Sequence, residues 1–220
     1  MAHTSPVTYS DSLRSGPEGP HVLRATAADI DTLAEVLADA FYDDPIWSWL
    51  IPSDGTRREG LRRLFAVQLD IQGMATGSVW STSDLAGAVI ATPPGKWRLP
   101  ALPMLRNSGA YIRTFGTRFP RNLVYLLRME RLHLHGPHHY IPTVGVAPAF
   151  QGKGLGSALM APTLELCDAQ QLPAYIEASS ERSAALYERL GFVTTSEMRV
   201  FDSPPMRLMV RQPVARRPMS

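Results

Sequence analysis

The feature that most constrains this chain is a run of alternating glycines placed directly after a β-branched segment. Tyr140 to Val146 reads as a strand, Pro148-Ala149 as a turn, and Gln151-Gly152-Lys153-Gly154-Leu155-Gly156 as the mouth of the next helix. Glycine permits unusual torsions and close backbone approach. Successive N–H groups at a helix start can face an anion, reinforced by the helix dipole. Lys153 would add charge at that mouth, and Gln151 an amide for the turn. The same glycines could simply tighten a βα connection. The run lacks the GxxxxGK spacing of a P-loop and the N-terminal βαβ placement of a dinucleotide fingerprint. On local chemistry alone the two readings stand even.

The rest of the sequence supplies alternating strands and helices around that turn. His21 to Arg24 fits a short strand. Ile30, Leu33, Val36, Leu37 and Phe41 fit one helix face, with a break expected near Pro45. Thr56 to Leu69 fits a second amphipathic helix. Ser78 to Ser81 and Ala86 to Ala91 read as neighbouring strands, ended by Pro93-Pro94-Gly95. Helices interrupted near Gly116 and Pro120 fill Leu99 to Leu134. After the glycines, Leu155, Leu159, Leu164 and Leu166 mark a helix that Pro162 is expected to kink or end. Ala174 to Glu177, a helix over Ser183 to Leu190, and strands over Val193 to Phe201 and Arg207 to Arg211 complete the pattern. This alternation argues for an α/β or α+β fold rather than a helical bundle.

Residues 1–20 read as a flexible tail, 21–213 as a single domain, and 214–220 as a second flexible tail. The single cysteine, Cys167, excludes an intramolecular disulfide and a cysteine-only metal cluster. With no apolar signal core or bilayer-length apolar run, the expectation is a soluble, cytoplasmic protein without a membrane partner. The net charge is only +2. Clusters such as Arg57, Arg58, Arg62 and Arg63 read as solvated faces or ion-pair partners, and no nucleic-acid partner is expected.

Residues 144–160, VGVAPAFQGKGLGSALM, together with EASSERSAALYERLGF at 177–192, resemble two consecutive motifs of the GNAT superfamily of N-acetyltransferases. Gln151, Gly154 and Gly156 occupy the patterned positions of the first motif. Within the superfamily the likeness extends to the puromycin N-acetyltransferase group of small-molecule acetyltransferases. The resemblance implies a mixed, mostly antiparallel central sheet flanked by helices. A splayed strand pair would form a slot for acetyl-CoA. It also implies direct acetyl transfer to the amine of a small molecule, by a monomer or homodimer, with no metal. A protein or peptide acceptor, or a noncatalytic acyl-CoA sensor, is the alternative.

By that resemblance, Val144 and Val146 would offer backbone contacts to the pantetheine arm or the acetyl carbonyl. Gln151, Gly152, Lys153, Gly154, Leu155, Gly156 and Ser157 would hold the pyrophosphate. Ser183 stands where many relatives use Asn to hold the pantetheine arm, and serine is shorter with fewer hydrogen-bonding options. Tyr187 would sit near the sulfur as acid to the leaving thiolate; without the resemblance it reads as packing beside Phe192. Glu177 and Glu130 are candidate bases, with a strand-end carboxylate and an exposed acid paired to Arg128 or Arg131 as the respective alternatives. His133, His135, His138 and His139 read as entrance or structural residues rather than zinc ligands. Phe41, Tyr42, Asp44, Trp47 and Trp49 form an aromatic patch near an acid, divided between core and acceptor pocket.

Overall fold

The computed structural model describes residues 20–99 and 101–215. The expected tails lie outside them except for Pro20 and residues 214–215. The Val214 backbone is held by Asp168 and Gln171. Among the described residues, seven strands form one sheet in the order β1-β2-β3-β4-β5-β7-β6. They are β1 (Val22–Arg24), β2 (Val79–Thr82), β3 (Gly87–Thr92), β4 (His139–Val146), β5 (Ala174–Ala178), β6 (Val193–Met198) and β7 (Met206–Arg211). Every neighbouring pair is antiparallel except β4–β5. The mixed, mostly antiparallel sheet implied by the motifs is therefore present.

Helices cover both faces. They are α1 (Ile30–Ala40), α2 (Pro45–Leu50), α3 (Asp54–Gln68), α4 (Ala101–Arg106), α5 (Ser108–Phe115), α6 (Phe119–Leu132), α7 (Leu155–Gln170) and α8 (Glu181–Arg189). Strand alternation divides the core. Ile90 of β3 faces a cluster with Leu33 and Leu37 of α1 and Leu61 and Phe65 of α3. Its neighbour Val89 faces the opposite cluster with Leu159, Met160 and Cys167 of α7. Full burial of such side chains contributes about 1.5–3 kcal/mol each.

Prolines act differently from a simple breaker rule. The chain does turn before Pro45, but Pro45 then starts α2, where its missing N–H costs nothing and Asp44 caps the helix. Pro120 likewise lies in the first turn of α6, so the break falls at Gly116–Arg118. Pro162 does not end its helix: α7 runs through it to Gln170, and Pro162 is itself buried. An interior proline costs about 3 kcal/mol. Buried Leu159, Met160, Leu164 and Cys167 anchor the helix on both sides of it. The strand expected to reach Phe201 stops at Met198; Phe201 itself has φ 54°.

α1 comes close to β4 because position 145 carries no side chain. A Cβ on Gly145 would stand 2.5 Å from Leu37 Cδ2 and 3.3 Å from Ala40 Cβ. That approach brings the end of α1 and the 41–44 turn to the side of β4.

Candidate active site

β4 and β5 pair only over His139–Ala174, Tyr140–Tyr175 and Ile141–Ile176, although β4 continues to Val146. The next residue, Pro142, has no N–H to give a ladder. On its other side β4 pairs Thr143 with Ile90 and Tyr140 with Thr92, so Ile141 and Pro142 together oppose Ala91. That bulge bends β4 away from β5. A cleft of about 640 Å³ opens there, lined by Pro142, Val144, Gly145 and Val146 on one strand and by Ile176 and Glu177 on the other.

One end of the cleft is the glycine turn. Gln151 Nε2 donates to Val146 O at 2.9 Å, fastening the turn to the end of β4. Gly154 is the N-cap of α7 with φ 82°, and Gly152 has φ 78°. Nothing lies within 4 Å of where a Cβ would stand on either residue. No side chain caps α7, so its first N–H groups remain available to an anion. Gly152, Gly154, Leu155, Gly156 and Ser157 all line the cleft. Lys153 does not: its Nζ donates to Ala149 O at 3.1 Å and lies over the Phe150 ring.

α8 forms the facing wall, and its sequence explains how it starts. Ser180 and Ser183 make a reciprocal cap: Ser180 N–H donates to Ser183 Oγ, and Ser183 N–H to Ser180 Oγ. The Ser183 hydroxyl, which also donates to Ser180 O, is occupied by this cap although the residue lines the cleft. Arg182 and Arg189 line the same cleft and were not singled out from the sequence. Their spacing of seven residues on one helix was the available signal.

The other end of the cleft holds Tyr187, Glu177, Asp44 and Ser179. Tyr187 is buried, and burial, then the charges of Asp44 and Glu177, push its phenol well above the ordinary value. It packs near Phe192 as well, with centroids 6.0 Å apart. Asp44 Oδ1 accepts from the Ile46 and Trp47 N–H groups, and its Oδ2 accepts the Ser179 hydroxyl. Burial raises the Asp44 carboxyl despite those hydrogen bonds. The Asp-Pro step at a helix start was its sequence signal.

The Glu177 side chain is 5% exposed, with Oε1 3.8 Å from His133 Nδ1 and no hydrogen-bond partner for that oxygen. Burial and then the Glu177 charge raise the phenols of Tyr140 and Tyr175. Glu130 is elsewhere. It is 46% exposed, paired with Arg98 at 3.1 Å, and absent from the cleft lining, because its place on α6 turns it to solvent. Cys167 lies on the core-facing side of α7, where burial pushes its thiol up to about 12.

The remaining polar and aromatic candidates separate clearly. His133 and His138 are buried and adjacent, His139 bonds Gln170, and His135 is exposed. Among the described residues no group of three or more His, Cys, Asp or Glu has the arrangement to hold a metal ion. Phe41 and Trp47 pack on Phe65, with Phe41 also lining the cleft. Trp49 packs against Tyr125 with the rings tilted by 50° and donates to Asp202. Tyr42 lies under the Arg57 guanidinium. No helix among the described residues is long and apolar enough to cross a membrane.

Comparison with known proteins agrees with this geometry. Residues 40–192 match the acetyltransferase (GNAT) family. An uncharacterized N-acetyltransferase of Schizosaccharomyces pombe is 28% identical over 206 residues, covering 86% of this chain and 82% of that protein. A mycothiol acetyltransferase of Streptomyces scabiei is 48% identical over 54 residues, only 23% of this chain and 18% of that enzyme. A Corynebacterium glutamicum structure, described as histone acetyltransferase HPA2 and related acetyltransferase, has a TM-score of 0.69 and 29% identity. It covers 90% of this chain and 98% of that one. These relatives support the superfamily-level resemblance; the narrower likeness to puromycin N-acetyltransferase is not supported by them.

Proposed function

The chain belongs to the acetyltransferase (GNAT) family, and from that premise we propose that it transfers acetyl from acetyl-CoA directly to the amine of a small molecule. The observation that carries this reading is the β4–β5 slot. It opens beyond Ile141 and Ile176 and joins the glycine turn at one end to Glu177 and Tyr187 at the other.

The residues present fit acetyl-CoA. The open space over Gly152 and Gly154 and the uncapped start of α7 suit a pyrophosphate. Arg182 and Arg189 add cationic groups on the facing wall. The unpaired edge of β4 from Val144 to Val146 offers backbone groups to an amide-bearing arm. Acetyl-CoA supplies the activated thioester, and the chain supplies orientation and proton transfer.

Tyr187 keeps its proton because burial disfavours the phenolate, so it donates to the departing thiolate. Glu177 accepts the proton from the acceptor amine, which must be neutral at nitrogen to attack. Glu130 has no part in this assignment. A buried Cys167 with a raised thiol leaves direct transfer as the route, without an acetyl-enzyme. The recessed Glu177 carboxylate supports a slender amine reaching into the slot over a broad peptide surface.

The test is acetyl-CoA-dependent CoA release over a panel of primary amines and peptides, with product mass recorded. A gain of about 42 Da on a small amine is expected. Acetylation confined to peptides would overturn the acceptor class. Acetyl-CoA binding without any product would leave a sensor in place of an enzyme.

A further inference from the structure

His133, the C-cap of α6, and His138, one residue before β4, are both buried, and their Nε2 atoms lie 3.0 Å apart. Two ring nitrogens at that distance share one proton. His138 Nδ1 lies 2.8 Å from Gly136 O, which only accepts, so Nδ1 carries a proton. A neutral His138 therefore presents a bare Nε2, and the proton between the rings belongs to His133 Nε2. The hydrogen-bond pattern thus assigns the tautomers in series. His133 is left with a bare Nδ1, and what it faces is Glu177 Oε1 at 3.8 Å, itself buried and unpartnered.

Two lone pairs confronting each other in a buried place are costly, and one added proton turns the contact favourable. The surroundings supply no such proton through a nearby cation. Tyr125 of α6, Tyr140 of β4, Tyr175 of β5 and Tyr187 of α8 all feel the Glu177 charge. Tyr140 also hydrogen-bonds that carboxylate, and the Tyr140 and Tyr175 rings pack edge-on against His133, while the Asp44 carboxylate acts on Tyr125 and Tyr187. Trp97 stacks on the His133 ring at 3.8 Å, and Arg98, which contacts Trp97, is ion-paired with Glu130. His139 neighbours His138, whose own basicity is lowered chiefly by burial.

We propose that Gly136 and His138 lock His133 in the tautomer whose bare Nδ1 backs Glu177, so that Glu177 and His133 together take the proton of the acceptor amine. The assignment rests on the acetyl-transfer reading and names how its base is built. As the amine N–H bond breaks, its electron pair stays on nitrogen and an O–H bond forms on Glu177. Once Glu177 swings in from 3.8 Å to hydrogen-bonding distance, that proton moves on to His133 Nδ1, giving an imidazolium held beside a carboxylate. It returns to water through the slot once product has left. Glu177 is the catalytic residue of this set; His133 and His138 are positioning residues acting through it.

Two measurements test the proposal. The first is the nitrogen NMR of the imidazoles in the ligand-free protein, which needs no turnover. The Nε2–H tautomer is expected for His133 and the Nδ1–H tautomer for His138. An Nδ1–H tautomer at His133 overturns the proposal. The second is the pH profile of kcat/KM for an acetylated amine in the parent and in His133→Phe, which keeps a ring against Trp97. The variant should lose on the order of tenfold near neutrality, recover towards alkaline pH, and bind acetyl-CoA as the parent does. An unchanged profile in the variant overturns the dyad alone. A parent that acetylates no amine overturns the transfer reading and the base role with it.

Discussion

Asp44 and Ser179, 135 residues apart in the chain, are hydrogen-bonded through the Asp44 Oδ2 and the Ser179 hydroxyl. The bond ties the turn between α1 and α2 to the end of β5, so one side chain joins two walls of the cleft. The same carboxylate caps α2 through Oδ1. Asp44→Ala should therefore cost about 1–2 kcal/mol of stability, measurable by denaturant melts. Asp44→Asn keeps an accepting oxygen for the cap and should cost less.

The same residue carries a pH signature. Burial raises the folded-state pKa of Asp44. Its contribution to stability is full below the unfolded value of 3.8 and is lost as pH rises through the folded value. Asp44→Asn lacks that loss. The difference in Tm between variant and parent should move in the variant's favour as pH rises through this range. A difference independent of pH would remove the buried-carboxylate account.

Tyr187→Phe removes the hydroxyl and keeps the ring that packs near Phe192. With Tyr187 as acid to the thiolate, kcat should fall by about a hundredfold while acetyl-CoA affinity and Tm stay near the parent's. Loss of stability with unchanged kcat would assign the residue to packing.

Gly154→Ala places a Cβ at φ 82° without any atomic clash, so its effect isolates backbone strain. The left-handed conformation costs about 1–2 kcal/mol in a residue with a side chain. If the turn relaxes to avoid that cost, the N–H groups at the start of α7 lose their aim, and acetyl-CoA affinity should drop by calorimetry. Lys153→Ala and Glu130→Ala are the contrast. Lys153 points to Ala149 O and Glu130 to Arg98, so both should alter stability by less than about 1 kcal/mol and leave kcat unchanged.

Asp168 makes a two-pronged pair with Arg211 at 2.7 and 2.8 Å and also accepts from Val214 N–H. Hydrogen bonding to Arg211 holds the Asp168 carboxyl below its usual range. That stability is present above the unfolded value of 3.8 and is lost as pH falls through the folded one. Because Asp168 is partly exposed, Asp168→Asn should cost only about 1–2 kcal/mol at neutral pH. The gap to the parent should close on acidification, as urea melts at both pH values would show.

The strands, the glycine-mouthed helix α7 and the order of the two motifs were legible because they depend on local periodicity and on torsions that few residues adopt. Where the reading failed, a tertiary contact had outweighed a local rule. Pro162 continues α7 because the helix is anchored in the core on both sides of it. Glu130 has Arg128 and Arg131 beside it in the chain and Glu177 lies between Ile176 and Ala178, a contrast that hinted at an exposed acid against a buried one. The actual partners, Arg98 for Glu130 and His133 for Glu177, are brought in from elsewhere in the chain.

The sequence by itself determined that a strand ends in a glycine turn opening a helix, and that a second motif follows on α8. Hydrophobic spacing and glycine torsions are written residue by residue. Only the tertiary structure decided what meets in the cleft. The bulge at Pro142 parts β4 from β5, Asp44 reaches Ser179, and His133 comes to stand beside Glu177. Those contacts join segments far apart in the chain, and their geometry is set by how the helices pack on the sheet.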